Sequence, residues 1–451
     1  MYFVYSLLLT LAFLVLLPYF LFDAIKTGKY VAAFRERFGK LSPINTGGKP
    51  VVWLHCVSVG ESQAARPLVQ EIRKRFPGHL LVISTITLTG QKFAQEIFRN
   101  DAAKIFYFPF DWRWTVRRAL TAIKPSAVLV METEIWPRFL KECRNSKVPV
   151  AIVNGRLSLQ SFRKYRWIKR FISRVINCLH LAVMQTEADA GRIHMLGLPR
   201  SKITVSGNLK FDAGRMPVEN SLPNEFRQRF KLTTERPLIL AASTHAPEER
   251  LLLEAFKELS GLTPAPRLLI APRHPERFAE VASLLATSGL TWVSRRSTIS
   301  ALDRNCDVIL LDTIGELQAL HALATIVFVG GSISKSGGHN ILEPAAVGAP
   351  IVTGPYTHNF DAIVKAFVRE RAIIQLSSRV DDELQNELKR VFAELLADDS
   401  LRQDLGRRAQ TLVEQNLGAT QRTLALLEAM ISSPHISSPT PNAVSGAVYT
   451  A

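Results

Sequence analysis

Short apolar, β-branched runs alternate with helix-length segments along most of the chain, and this alternation restricts the fold more than any other feature. In the first half the runs are Val51–Leu54, Leu80–Thr85, Ile105–Phe108, Ala127–Met131, Val148–Val153 and Leu181–Met184, and Val205 ends one further candidate. In the second half they are Leu238–Ala242, Arg267–Ala271, Val308–Leu311, Ala324–Val329, Ala349–Val352 and Ile373–Gln375. Continuous apolar runs of this length are strands buried on both faces. Strands separated by helical segments form parallel sheets covered by helices on both sides. The pattern breaks around Ala213–Pro237, where prolines stand at 217, 223 and 237, and the interdomain junction is expected there. A chain of 451 residues accommodates two such α/β domains, expected over 26–215 and 216–431. Helices are expected over Asp381–Ala397 and Leu401–Ile431. Residues 432–451 are rich in Ser, Pro and Ala without periodicity, the composition of a disordered tail.

The N-terminus reads differently. Met1–Phe22 is almost wholly apolar and just long enough, at about 1.5 Å per residue, to cross a bilayer core of roughly 30 Å. Lys26, Lys29, Arg35 and Arg37 follow closely, so the positive-inside rule puts the remainder in the cytoplasm. We expect residues 1–25 to be a membrane anchor. A cleaved signal peptide is the rival, but there is no basic segment before the apolar one and no clear small-residue cleavage site. A helix dipping into one leaflet is a third reading. The net charge of +17 favours an anionic partner, either a membrane surface or a phosphorylated substrate. Basic repeats interleaved with aromatics and zinc-type Cys/His spacings are absent, which argues against nucleic acid. The four cysteines are scattered without a C-x-x-C, and we expect reduced thiols and no metal site.

Active sites of open α/β sheets lie beyond the carboxyl ends of the strands, so the polar strand ends carry the functional reading. Gly330–Pro355 is the richest: two glycine pairs, then His339-Asn340, a helix-like segment with Glu343 in its first turn, and a further strand. A helix N-terminus behind such a loop can offer N–H groups to an anion, while an ordinary α/β turn uses the same glycines. Neither G-x-G-x-x-G nor G-x-x-x-x-G-K-[ST] is present, so a nucleotide-sugar site fits better than a dinucleotide or P-loop site. Arg273, after the strand ending at Ala271, is placed to grip a phosphate. Gly315 permits backbone approach to a ligand, and His245 at a third strand end reads more readily as structural than catalytic. In the first half Glu61 follows Gly60 at a helix start, where it can accept a proton from a hydroxyl or merely suit the helix dipole. Glu132, Glu134 and Trp136 follow another strand, and Arg156 follows Asn154-Gly155 at the next.

Taken together, His55–Glu61, Met131–Pro137, Asn154–Ser158, Gly207–Asp212, Ala271–His274, Asp312–Leu317 and Gly330–Pro355 resemble the corresponding segments of the Kdo transferases, the 3-deoxy-D-manno-octulosonic acid transferases of lipopolysaccharide core synthesis. The resemblance covers roughly residues 1–425. It implies a GT-B glycosyltransferase fold with two Rossmann-like domains facing across a cleft. It also implies transfer of Kdo from CMP-Kdo to a lipid A precursor at the cytoplasmic face of the inner membrane, with inversion and without a cofactor or metal. By this resemblance Glu61 is the catalytic base, and Glu132 and Lys210 stabilise the transition state. The CMP pocket falls on Pro272, Arg273, Ile314, Gly315, Glu316, Asn340, Ile341, Leu342 and Glu343. A UDP-sugar transferase of the same fold, and a non-catalytic basic lipid-binding protein, are the alternatives. The acyl pattern of the acceptor and the number of Kdo residues added are not legible.

Overall fold

The computed structural model describes residues 1–27, 31–214, 221–233, 235–259 and 261–432, with the backbone alone for 19–27 and 31–33. The expected tail from residue 433 onward and Pro217 of the expected junction lie outside the described residues. The chain divides into two units, Met1–Ala213 together with the segment from Gly418 onward, and Gly214–Leu417.

The first unit is built on β1 (Val51–His55), β2 (Leu80–Thr85), β3 (Lys104–Tyr107), β4 (Ala127–Met131), β5 (Val150–Gly155), β6 (Leu181–Met184) and β7 (Ile203–Val205), in the order β3-β2-β1-β4-β5-β6-β7. Every pairing is parallel, with Val52 aligned to Leu81 on one side and to Ala127 on the other. All residues of β1, β4 and β5 are buried, as their unbroken apolar runs require. Alternate residues feed two cores. Trp53, Val128 and Ile152 face one, and Val52, Leu54, Leu129 and Val153 face the other.

The second unit repeats the plan with β8 (Leu238–Thr244), β9 (Arg267–Pro272), β10 (Trp292–Ser294), β11 (Val308–Leu310), β12 (Ile326–Val329), β13 (Ile351–Thr353) and β14 (Ile374–Gln375), in the order β10-β11-β9-β8-β12-β13-β14. In each sheet the strand order reverses beside the first strand, between β1 and β4 and between β8 and β12. Crevices open at such reversals.

Two expectations are corrected. The helix foreseen over Leu401–Ile431 is broken into Asp399–Asn416 and Ala419–Ser432, because Gly418 adopts φ +83°. The last of these helices belongs to the first unit, not to the second as the division at 216–431 had it. Leu424, Leu427 and Ile431 enter the core lined by Leu54 and Leu129. Asp212 caps the helix, accepting the Gly418 and Thr420 N–H groups at 2.8 and 2.6 Å.

Among the described residues no helix is long and apolar enough to cross a membrane. The helix that occupies the expected span, Tyr2–Thr27, is clasped along one side by the first unit. Tyr5 donates to Asp111 at 2.8 Å, Arg138 donates to Ser6 Oγ and the Tyr2 carbonyl, and Trp112 donates to Thr10. Phe13 sits edge-on to Phe38, Phe110 and Trp112.

Candidate active site

At the strand-order reversal of the first unit, β1 runs into the helix Val59–Arg75 and puts Glu61 in its first turn. The carboxylate turns back to accept the Val57 N–H at 2.8 Å and the Ser58 hydroxyl at 3.4 Å, a capping geometry that fixes the side chain. It is nevertheless a perturbed acid. Burial, helped by the charges of Glu132 and Glu134, raises Glu61 to about 8 against the pull of the Val57 N–H. Those two arrive from the end of β4. Glu132 adopts φ +53°, a conformation costly for a residue with a Cβ, and donates its N–H to the Val153 carbonyl at 2.9 Å. Lys210 pairs with Glu132 at 3.3 Å. The expected residues Glu61, Glu132 and Lys210 are thus gathered in one place, with Glu134 beside them.

Asn154 positions that lysine, a role no motif announces. It lies at φ +54° where the β5–β6 register shifts, and its Oδ1 accepts the Leu209 N–H at 3.0 Å, at the start of the helix that carries Lys210. Register shifts re-aim side chains at strand ends. Thr133 and Arg156 tie the two neighbouring loops together, Thr133 Oγ1 donating to the Arg156 carbonyl and accepting the Arg156 N–H at 3.0 Å.

In the second unit Pro272 ends β9, and the Arg273 N–H is held by the Thr244 carbonyl at 3.0 Å. The Arg273 side chain is exposed. Ile314 is exposed, and Gly315 takes φ +91°. Glu316 is already engaged, bound through both oxygens by Arg295 at 2.9 and 3.1 Å. Asn340 accepts the Leu342 N–H and donates to Glu343 at 3.0 Å. Burial raises the Glu343 carboxyl, with Asn340 and Arg273 opposing. Ile341 and Leu342 are buried in the core, so only their backbone groups can meet a ligand.

The glycine-rich loop departs from expectation. Its helix is a single short turn, Leu342–Ala346. The N–H groups after the first glycine pair are not free, because the buried Glu248 takes them. Its two oxygens accept the N–H groups of His245, Gly331, Ser332 and Ile333 at 2.8–2.9 Å, and that of Ser334 at 3.3 Å. Burial pushes the Glu248 carboxyl up, and these donors pull it back. Nothing in the chain near residue 330 announces a partner 83 residues upstream. The available signal was the Glu in a helix first turn, three residues beyond a strand-end histidine.

Two parallel α/β units, each with polar strand ends gathered at its order reversal, give a two-sheet α/β fold that resembles that of the GT-B glycosyltransferases. A solved relative in fold is UDP-GlcNAc 2-epimerase from Neisseria meningitidis bound to UDP-GlcNAc, with TM-score 0.56 and 14% identity over 85% of this chain and all (100%) of that one. In sequence, residues 32–213 match the family model of 3-deoxy-D-manno-octulosonic-acid transferase (kdotransferase). The 3-deoxy-D-manno-octulosonic acid transferase of Haemophilus influenzae is 33% identical over 405 residues, covering 90% of this chain and 93% of that protein. The Bordetella pertussis enzyme of the same description is 33% identical over 387 residues, covering 84% and 86%. The chain belongs to the 3-deoxy-D-manno-octulosonic acid transferase family.

Proposed function

We propose that this protein is an inverting glycosyltransferase that moves Kdo from CMP-Kdo to a lipid A precursor in lipopolysaccharide synthesis. The observation that carries the reading is the group Glu61, Glu132 and Lys210 at the order reversal of the first sheet. A buried carboxyl raised to about 8 is a strong base once ionised, and it is held rigidly by the Val57 N–H. In this reading Glu61 takes the proton of the attacking sugar hydroxyl. Lys210, oriented by Glu132, balances negative charge that develops in the transition state. Arg273 meets the phosphate of the donor, which leaves as CMP. The loops carrying Ile314–Glu316 and Asn340–Glu343 complete the nucleotide site, and attack on the face opposite the leaving group inverts the anomeric carbon. Mass spectrometry of the product formed from CMP-Kdo and lipid A precursor tests the assignment. Added Kdo with stoichiometric CMP is expected, and release of UDP from a UDP-sugar under the same conditions would overturn it.

The acceptor places the enzyme at the cytoplasmic face of the inner membrane, and the N-terminal helix supplies the means. Its free face exposes Phe3, Leu7, Leu8, Leu11 and Val15. Met1, Val4 and Leu8 share a groove with Trp167, Ile168 and the basic residues Arg166, Lys169, Arg170 and Arg174. Trp167 is 90% exposed. An apolar face beside a basic one suits the interface of an anionic bilayer, with tryptophan at headgroup depth.

A further inference from the structure

His245, which reads more readily as structural than catalytic in the sequence, is paired in the structure. Its Nε2 lies 2.8 Å from Nε2 of His339, with the two rings nearly parallel at 13°. His245 follows β8 and His339 follows β12, so the pair stands at the order reversal of the second sheet. Ser243 lies at φ +55° where the β8–β9 register shifts, which aims His245 into this corner. Gly331 makes the room, since a Cβ there would meet His339 Cδ2 at 2.7 Å. The His274 ring stands edge-on to His245 at 5.0 Å. Arg273 is the next residue along, and among the described residues its guanidinium has no ion-pair partner. Among the described residues no group of three or more His, Cys, Asp or Glu could hold a metal ion.

We propose that the His245–His339 pair is a proton-coupled anion clamp, taking up one proton from solvent when the phosphate of a cytidine nucleotide settles beside Arg273. In the neutral pair one Nε2–H points at the lone pair of the other ring. A further proton must go to an outer Nδ1, which leaves the central N–H···N bond intact and gives the pair one positive charge. His245 Nδ1 faces the Ser336 hydroxyl at 3.5 Å, and that hydroxyl can turn from donor to acceptor. Without an anion the pair is held neutral. Burial, with His245, Arg273 and His274 acting in the same direction, lowers His339 to about 3. Burial also lowers His245, with His274, Arg277 and Arg273 in the same direction and Glu249 opposing. Glu248, Glu276 and Glu343 are the other acids on the elements around the pair, and Lys335 the other base. A phosphate dianion reverses this balance, because it favours the cationic form of whatever imidazole it approaches. The clamp deepens the donor assignment above and rests on it.

Calorimetric titration of the full chain with CMP, in buffers of different ionisation enthalpy, reads the protons exchanged. At pH 8 the phosphate of CMP, with a second pKa of about 6, is already a dianion, and binding to cations can only strip protons from it. Uptake therefore comes from the protein. We expect net uptake with CMP, none with cytidine, and a CMP affinity that weakens as pH rises. His339→Gln and His245→Gln leave the surrounding carboxylates in place, and each is expected to abolish the uptake and weaken CMP by about tenfold at pH 7. CMP binding without uptake, or uptake that persists in either variant, overturns the clamp while leaving the donor assignment standing. Failure of CMP to bind overturns both.

Discussion

Glu61 shows how one side chain can be both a helix cap and a reactive group. Capping explains its conformation, while burial and two neighbouring carboxylates explain its chemistry. The base must be ionised, and its ionised fraction grows as pH climbs through about 8. We therefore expect the transfer rate at saturating substrates to rise between pH 6 and 9, while the proton taken up by the His245–His339 pair favours donor binding at the low end. Glu61→Gln keeps the Val57 contact but accepts no proton. Its transfer rate should fall by at least about a hundredfold, within the range of general-base catalysis. CMP affinity should be unchanged by calorimetry. The melting temperature should hold or rise, because an amide spares the chain a desolvated carboxylate at alkaline pH. Near-native turnover in a folded Glu61→Gln variant would mean that Glu61 serves the cap alone.

At the scale of elements, the sheets were legible and the loops only partly so. The inner strands are buried on both faces, so their composition betrays them, as in Val51–Leu54 and Ala127–Met131. Glu61 and Glu132 stand out in the sequence as acids at strand ends, whereas Lys210, and the roles given to all three, come only through resemblance to a family. The helix expected to offer N–H groups behind the glycine loop is one short turn, and the grip of Glu248 on the N–H groups of Gly331–Ser334 has no trace in the pattern. Periodicity reports which residues are apolar, and not which distant carboxylate or imidazole closes on a turn. For the same reason the positioning role of Asn154, the turn at Ser243 and the pairing of His245 with His339 are not legible in the sequence. Glu248→Gln replaces one accepting oxygen with an amide that cannot accept, and strands at least one buried N–H. Each unsatisfied donor costs roughly 1–3 kcal/mol. The thermal transition of the second unit should drop by several degrees, and CMP affinity should fall with it. Unchanged CMP binding in a folded Glu248→Gln variant would show that the loop does not shape the nucleotide site.

On the scale of the whole molecule, the N-terminal helix and the last helix both belong to the first unit. The membrane reading predicts that the protein floats with vesicles containing anionic lipid and less well with neutral ones, and that high salt weakens the association. Trp167→Ser should reduce flotation while leaving CMP affinity intact. Equal binding to neutral and anionic vesicles at every salt concentration would remove the basic face from the membrane reading. A chain ending at Leu417 lacks the helix that covers Leu54 and Leu129, so it should expose apolar surface, bind a hydrophobic dye and lose the thermal transition of the first unit.

That closing helix also sets an order of events during synthesis. The ribosome finishes β7 long before it makes Ala419–Ser432, and the whole second unit is translated in between. At about 5–20 residues per second, the intervening stretch of roughly 200 residues takes about 10–40 s. For that time the first unit has an open flank at Leu54, Leu129 and Val153, with Asp212 waiting for the N–H groups it will cap. The first unit to be made is thus the last to be completed, and during that interval it is a natural client for a chaperone that holds nascent apolar surface.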